Sequence, residues 1–141
     1  MTRIINLLQE KNHYLEKFYA LNETEIFNFS NGNFDNLEVF YNTREKILEI
    51  LRYIDSQLDQ VQKTLIDLSG VSTDERRQTR EAMATKDEYV SRIINQDLEV
   101  LACIEAAKSN IIRELQDVRR VRKAVGGYKS PSFVKRLNEE A

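Results

Sequence analysis

Between residues 37 and 68 the apolar positions recur at alternating steps of three and four. Leu37, Phe40, Ile47, Leu51, Ile54, Leu58, Val61, Leu65 and Leu68 hold this register, and only Arg44 interrupts it with charge. Such steps return side chains to one face of a helix, and a long run of them forms a seam against neighbouring helices. A second helix precedes it, with Ile4, Leu8, Leu15, Phe18, Leu21, Ile26 and Phe29 on a broader stripe that Ile5, Leu7 and Tyr14 supplement. Asn31-Gly32-Asn33 separates the two. Gly32 suits a left-handed end to the first helix, Asn33 can cap the next, and Asp35 favours the dipole of its first turn. So short a link predicts an antiparallel hairpin, with arms of ~30 residues and about 45 Å each.

A third segment opens at Ser72-Thr73-Asp74-Glu75, the pattern of a capping box. From Thr73 to Glu88 it is polar apart from Ala82, Met83 and Ala84. Three readings of that stretch stay open: a short helix, a helical extension past the bundle, or a mobile link. From Tyr89 or Val90 an apolar stripe runs through Ile94, Leu98, Leu101, Ile104, Lys108, Ile111, Leu115, Val118, Val121 or Arg122, and Val125, and it stops at Gly126-Gly127. This predicts a third core helix. The expected architecture is all-α: an elongated antiparallel three-helix bundle over 1–127 with coiled-coil-like packing, followed by a tail over 128–141. The tail holds Pro131 and a weakly amphipathic stretch at Phe133, Val134 and Leu137.

Composition narrows the classes further. Among 141 residues there are four glycines and one proline, too few turn formers for a sandwich or barrel. The single cysteine, Cys103, cannot form an intrachain disulfide, and no N-terminal apolar run suggests secretion, so a cytoplasmic location is expected. No stretch approaches the roughly 18 to 20 apolar residues of a membrane span. Net charge is −2, with residues 1–70 carrying 7 basic and 11 acidic side chains and residues 71–141 carrying 14 and 12.

Catalytic chemistry finds little to work with. His13 is the only histidine and adjoins Tyr14, which suits a surface or boundary position; Cys103 has no CxxC partner and sits between Ala102 and Ile104, where a small apolar residue packs. No Gly-rich phosphate loop, metal cluster or cofactor motif is present, and the expectation is no enzyme and no cofactor. The basic run Arg119-Arg120-Val121-Arg122-Lys123 suits a solvated helix C-terminus or an acidic protein partner. Nucleic acid is not expected, because the chain is acidic overall and no recognition motif accompanies the run. Phe27, Phe29, Phe34, Phe40 and Tyr41 gather near the first turn, either as a wide local core or as an exposed groove for a helix.

The organisation as a whole resembles the flagellar export chaperones of the FlgN and FliT type. The likeness rests on Asn31-Gly32-Asn33-Phe34-Asp35-Asn36-Leu37, similar to that family's turn, continuing through Arg44-Glu45-Lys46-Ile47-Leu48, and on Ala124-Val125-Gly126-Gly127-Tyr128. It covers roughly residues 3–130. It implies a cytoplasmic chaperone that binds the C-terminal helices of hook-associated or filament-cap subunits and delivers them to the export gate and ATPase. Ile111, Leu115, Val118, Val121, Arg122 and Val125 would supply the binding groove, Tyr128 would dock on the gate, and Phe133 and Leu137 of the tail would lie in the groove when it is empty. The alternative is a structural coiled-coil or adaptor protein in which the heptads form a homo-oligomer. The polar stretch 73–88 and the short tail depart from the family's pattern.

Overall fold

The hairpin foreseen from the apolar spacing is the frame of the molecule. A computed structural model describes residues 1–65 and 70–126, the last of these by its backbone alone. It contains three helices: α1 (Thr2–Ser30), α2 (Leu37–Thr64) and α3 (Thr73–Gly126), with no strand among the described residues. The protein is an all-α three-helix bundle. Its chain divides into two units, Met1–Leu101 and Ala102–Ala141.

In the first unit α1 and α2 run antiparallel. Arg3 reaches Gln57 and Lys11 pairs with Asp55 at 2.6 Å, so the start of one helix lies beside the end of the other. Gly32 supplies the turn with a φ of +74°, a conformation a Cβ would strain even though the space around it is open. The Asn33 side chain accepts a hydrogen bond from the Asp35 amide at 3.0 Å, closing an Asx turn. It does not cap α2, whose cap position is Asn36 without a side-chain bond.

Over residues 73–101, α3 runs parallel to α1 and antiparallel to α2. Asn12 Nδ2 donates to the Ala82 carbonyl, Tyr19 meets Tyr89 edge-on, and Asn22 Nδ2 donates to Gln96, so both helices advance together. The helix begins at the capping box: the Glu75 amide donates to Ser72 Oγ at 3.1 Å and the Ser72 amide to Glu75 Oε1 at 3.4 Å. The polar stretch 73–88 is therefore the first part of a continuous docked helix, with Ala82 buried in the core. Of the three readings that its composition left open, none described a docked segment.

Two apolar clusters fill this unit. Ile4, Leu7, Leu8, Ile54, Leu58 and Ala82 form one; Leu15, Phe18, Ile47, Leu51 and Ile93 form the other. Phe40 and Ile54 are each only 1% exposed. Burial at that level stabilises the fold by about 1.5–3 kcal/mol per side chain. The stripe expected to bring α3 into the core is not the one that packs. Ile94, Leu98 and Leu101 are 56%, 62% and 58% exposed, whereas Ile93, Gln96 and Val100 are buried. The inward positions Ala82, Lys86, Tyr89, Ile93, Gln96 and Val100 also follow steps of four and three. They are one step out of phase with the apolar stripe.

Candidate helix-docking surface

Within the second unit, residues 102–126 of α3 are helical, and their apolar stripe is uncovered. Ile111 is 57% exposed, Leu115 54%, Val118 45%, Val121 62% and Val125 52%. These are five of the six groove positions expected from the sequence, and the sixth, Arg122, is also exposed. They share one helical face, and their exposure shows that they are not the core that the third-helix stripe suggested. Tyr128, Phe133 and Leu137 lie outside the described residues, as does the tail.

The stripe has charge inside it. At steps of three and four, Ile104, Lys108, Ile111, Leu115, Val118, Arg122 and Val125 make one seam, with a cation at two of its seven places. Both cations are exposed, and neither has an ion-pair partner among the described residues. Around them Arg113, Arg119, Arg120 and Lys123 outnumber the acids Glu105, Glu114 and Asp117. Among the described residues the ion pair in this stretch, Arg120 with Asp117 at 3.6 Å, is highly exposed on both sides and of small energetic weight. The face is thus an apolar seam in a cationic field.

Other groups singled out from the sequence fall elsewhere. Arg44, the charged break in the α2 stripe, is nearly buried: its guanidinium lies 4.9 Å from the Phe18 ring centre and 5.2 Å from that of Phe40, and it pairs with Asp97 of α3 at 2.9 Å. It joins three helices and is part of the packing. The aromatic residues at the first turn divide. Phe29 stacks on Phe34 and meets Phe40 edge-on, while Phe27 and Tyr41 are 67% and 45% exposed. His13 is exposed, sits edge-on to Tyr14 and lines an open groove of about 390 Å³ with Asn12, Glu16, Gln78, Glu81 and Tyr89. Cys103 is half-buried. Among the described residues no three His, Cys, Asp or Glu side chains are placed to hold a metal ion, and no helix is long and apolar enough to cross a membrane.

One buried feature went unforeseen. Asn22, Glu25 and Gln96 form a polar layer inside the first unit. Asn22 Nδ2 donates to Gln96 Oε1 at 3.1 Å, and Gln96 Nε2 donates to the Tyr19 carbonyl and to Glu23 at 3.0 and 2.8 Å. Among the described residues, Asn22 Oδ1 and Glu25 Oε1 have no partner. The sequence signal was present in the phase of Gln96 with Ile93 and Val100, but a polar residue in a stripe reads as a break.

At the start of α3, Asp74 accepts hydrogen bonds from Arg77 and Gln78. The Arg77 bond is the main cause that holds the Asp74 carboxyl below its ordinary range, and the same contact raises the Arg77 guanidinium. These groups are exposed and serve the helix terminus.

The chain matches no protein-family model, no curated protein and no solved structure.

Proposed function

We propose that this protein is an export chaperone of the flagellar FlgN and FliT kind, which covers an amphipathic helix of a hook-associated or filament-cap subunit until delivery to the export gate. The observation that carries the reading is the uncovered apolar seam of residues 102–126, whose members Ile111, Leu115 and Val118 are each close to half exposed or more. An apolar face of this extent on a helix is a docking surface for another helix. The motifs at residues 31–37 and 124–128 support the flagellar assignment through their resemblance to that family.

The physical task suits such a surface. A filament subunit carries terminal helices whose seams assemble with their like, and a helix laid along the seam blocks that contact. The subunit's segment orders on binding, which lowers the net affinity and keeps the complex releasable. Tyr128, beside the double glycine, is the residue proposed to meet the gate.

The test is capture from a flagellated cell with identification of what is bound. Hook-associated or filament-cap subunits are expected with the native protein and are lost with Ile111→Asp/Leu115→Asp. Tyr128→Ala retains the subunit and loses the gate protein. Recovery of none of these proteins by the native chain overturns the assignment.

A further inference from the structure

The seam of residues 102–126 carries a feature that helix docking alone does not require. Lys108 and Arg122 occupy seam positions fourteen residues apart, two heptads or about 21 Å along a helix. Both are exposed and lack an ion-pair partner among the described residues. Resting on the reading that this face docks a helix, we propose that Lys108 and Arg122 select and register an acidic amphipathic helix, one bearing two carboxylates two heptads apart beside its own apolar seam.

Charge decides between this occupant and a second copy of the chain. In a parallel in-register pair of these segments Lys108 faces Lys108 and Arg122 faces Arg122, and the residues just before them, Ala107 and Val121, offer no carboxylate. In an antiparallel pair each cation meets an aliphatic seam residue, because no acid occupies the seam between 104 and 125. Self-pairing therefore leaves both charges stacked on like charge or set against apolar surface, an arrangement that costs stability. A partner with carboxylates at the matching interval satisfies both. Its acids also sit in the field of Arg113, Arg119, Arg120 and Lys123, which favours encounter with an anionic segment.

Spacing then acts as a ruler. One cation would accept either carboxylate of the helix and so two registers; two cations reward the one register that engages both. Sliding by a single heptad keeps the apolar contacts and breaks both pairs, and sliding by two heptads keeps only one.

The experiment uses the full chain and synthetic 21-residue helical peptides with the same Leu/Ile heptads and blocked ends. They differ at two flanking positions: two Glu fourteen residues apart, two Glu seven apart, two Gln, or two Lys fourteen apart. Affinity is read by fluorescence anisotropy at low and high salt, at peptide concentrations where the peptides themselves are monomeric. The Glu pair at fourteen is expected to bind about two- to fivefold tighter than the Glu pair at seven, and the Lys peptide weakest. The differences shrink at high salt. Lys108→Glu/Arg122→Glu inverts the order of the Glu and Lys peptides.

Equal affinity for all four peptides, abolished by Ile111→Asp/Leu115→Asp, overturns the ruler while the docking surface stands. No binding of any peptide overturns both. A concentration-dependent dimer of the full chain in sedimentation, removed by the same aspartate pair, makes a second copy the occupant and overturns the proposal.

Discussion

Residues 73–101 and 102–126 belong to one helix and meet opposite fates. The first stretch is the more polar, yet it buries Ala82, Ile93, Gln96 and Val100 against α1 and α2. The second holds the regular run Ile111, Leu115, Val118 and Val125, and every one of these is about half exposed. Hydrophobic content does not decide which part of a helix becomes core. Within 73–101 phase decides, since Ile93 and Val100 are buried while Ile94 and Leu98 are exposed; from 108 to 125 every position is exposed whatever its phase. The most apolar stripe of α3 is left uncovered.

The contrast is broken most sharply by cutting side chains back in each part. Phe40→Ala, in the packed unit, is expected to cost about 3–5 kcal/mol in chemical denaturation, whereas Leu115→Ala changes stability by less than about 0.5 kcal/mol. A comparable loss from Leu115→Ala would mean that its face is covered in solution.

A smaller effect sharpens what phase demands of the buried part. Gln96→Leu strands the Asn22 amide and should lower stability by about 1–3 kcal/mol, while Asn22→Leu/Gln96→Leu removes that unmet donor and recovers most of the loss. A double variant as unstable as the single one would show that the polar layer is required for packing itself. Next in size is the link from α2 to α3. A double-mutant cycle on Arg44 and Asp97 is expected to return a coupling of about 0.5–1 kcal/mol, since Asp97 is 44% exposed on its side chain. Zero coupling would assign Arg44 entirely to its two aromatic contacts.

The smallest effect lies at the exposed start of α3. Because Asp74 titrates below its ordinary value of 3.8, its ionised form is favoured by folding; that contribution is full above 3.8 and fades as pH falls through the lowered folded value. Asp74→Asn should lower the neutral midpoint in thermal melts slightly, and the difference from the native protein should vanish as pH falls through the lowered folded value. A large shift at neutral pH would give the residue a role beyond the helix end.

Much of the frame was legible in the residues. The α2 stripe, the Gly32 turn and the Ser72 capping box each appear where spacing and backbone chemistry place them. The phase of α3 was not legible, for a physical reason. Two seams wind along that helix, and the buried one contains Ala82, Lys86 and Gln96, which carry little hydrophobic signal. Their burial comes from partners distant in sequence. The candidate surface was therefore legible as a stripe and not as a surface: Ile111 and Leu115 have the same spacing whether covered or bare. Arg44 was misleading in the opposite sense, since its charge in an apolar seam is answered by Asp97 and by two aromatic faces that periodicity does not pair.

The parallel course of α1 and α3 also sets an order of assembly. The hydrogen bonds from α1 to α3 close loops of 70 to 77 residues, whereas Phe29 and Phe40 meet across the short Gly32 turn. Short loops close at lower entropic cost, so the aromatic hairpin end is the expected nucleus and α3 joins a preformed pair. A chain leaving the ribosome then exposes the α1–α2 face until residue 100 has emerged. Kinetic φ-values near zero at Ile93 and clearly higher at Phe40 would record that delay.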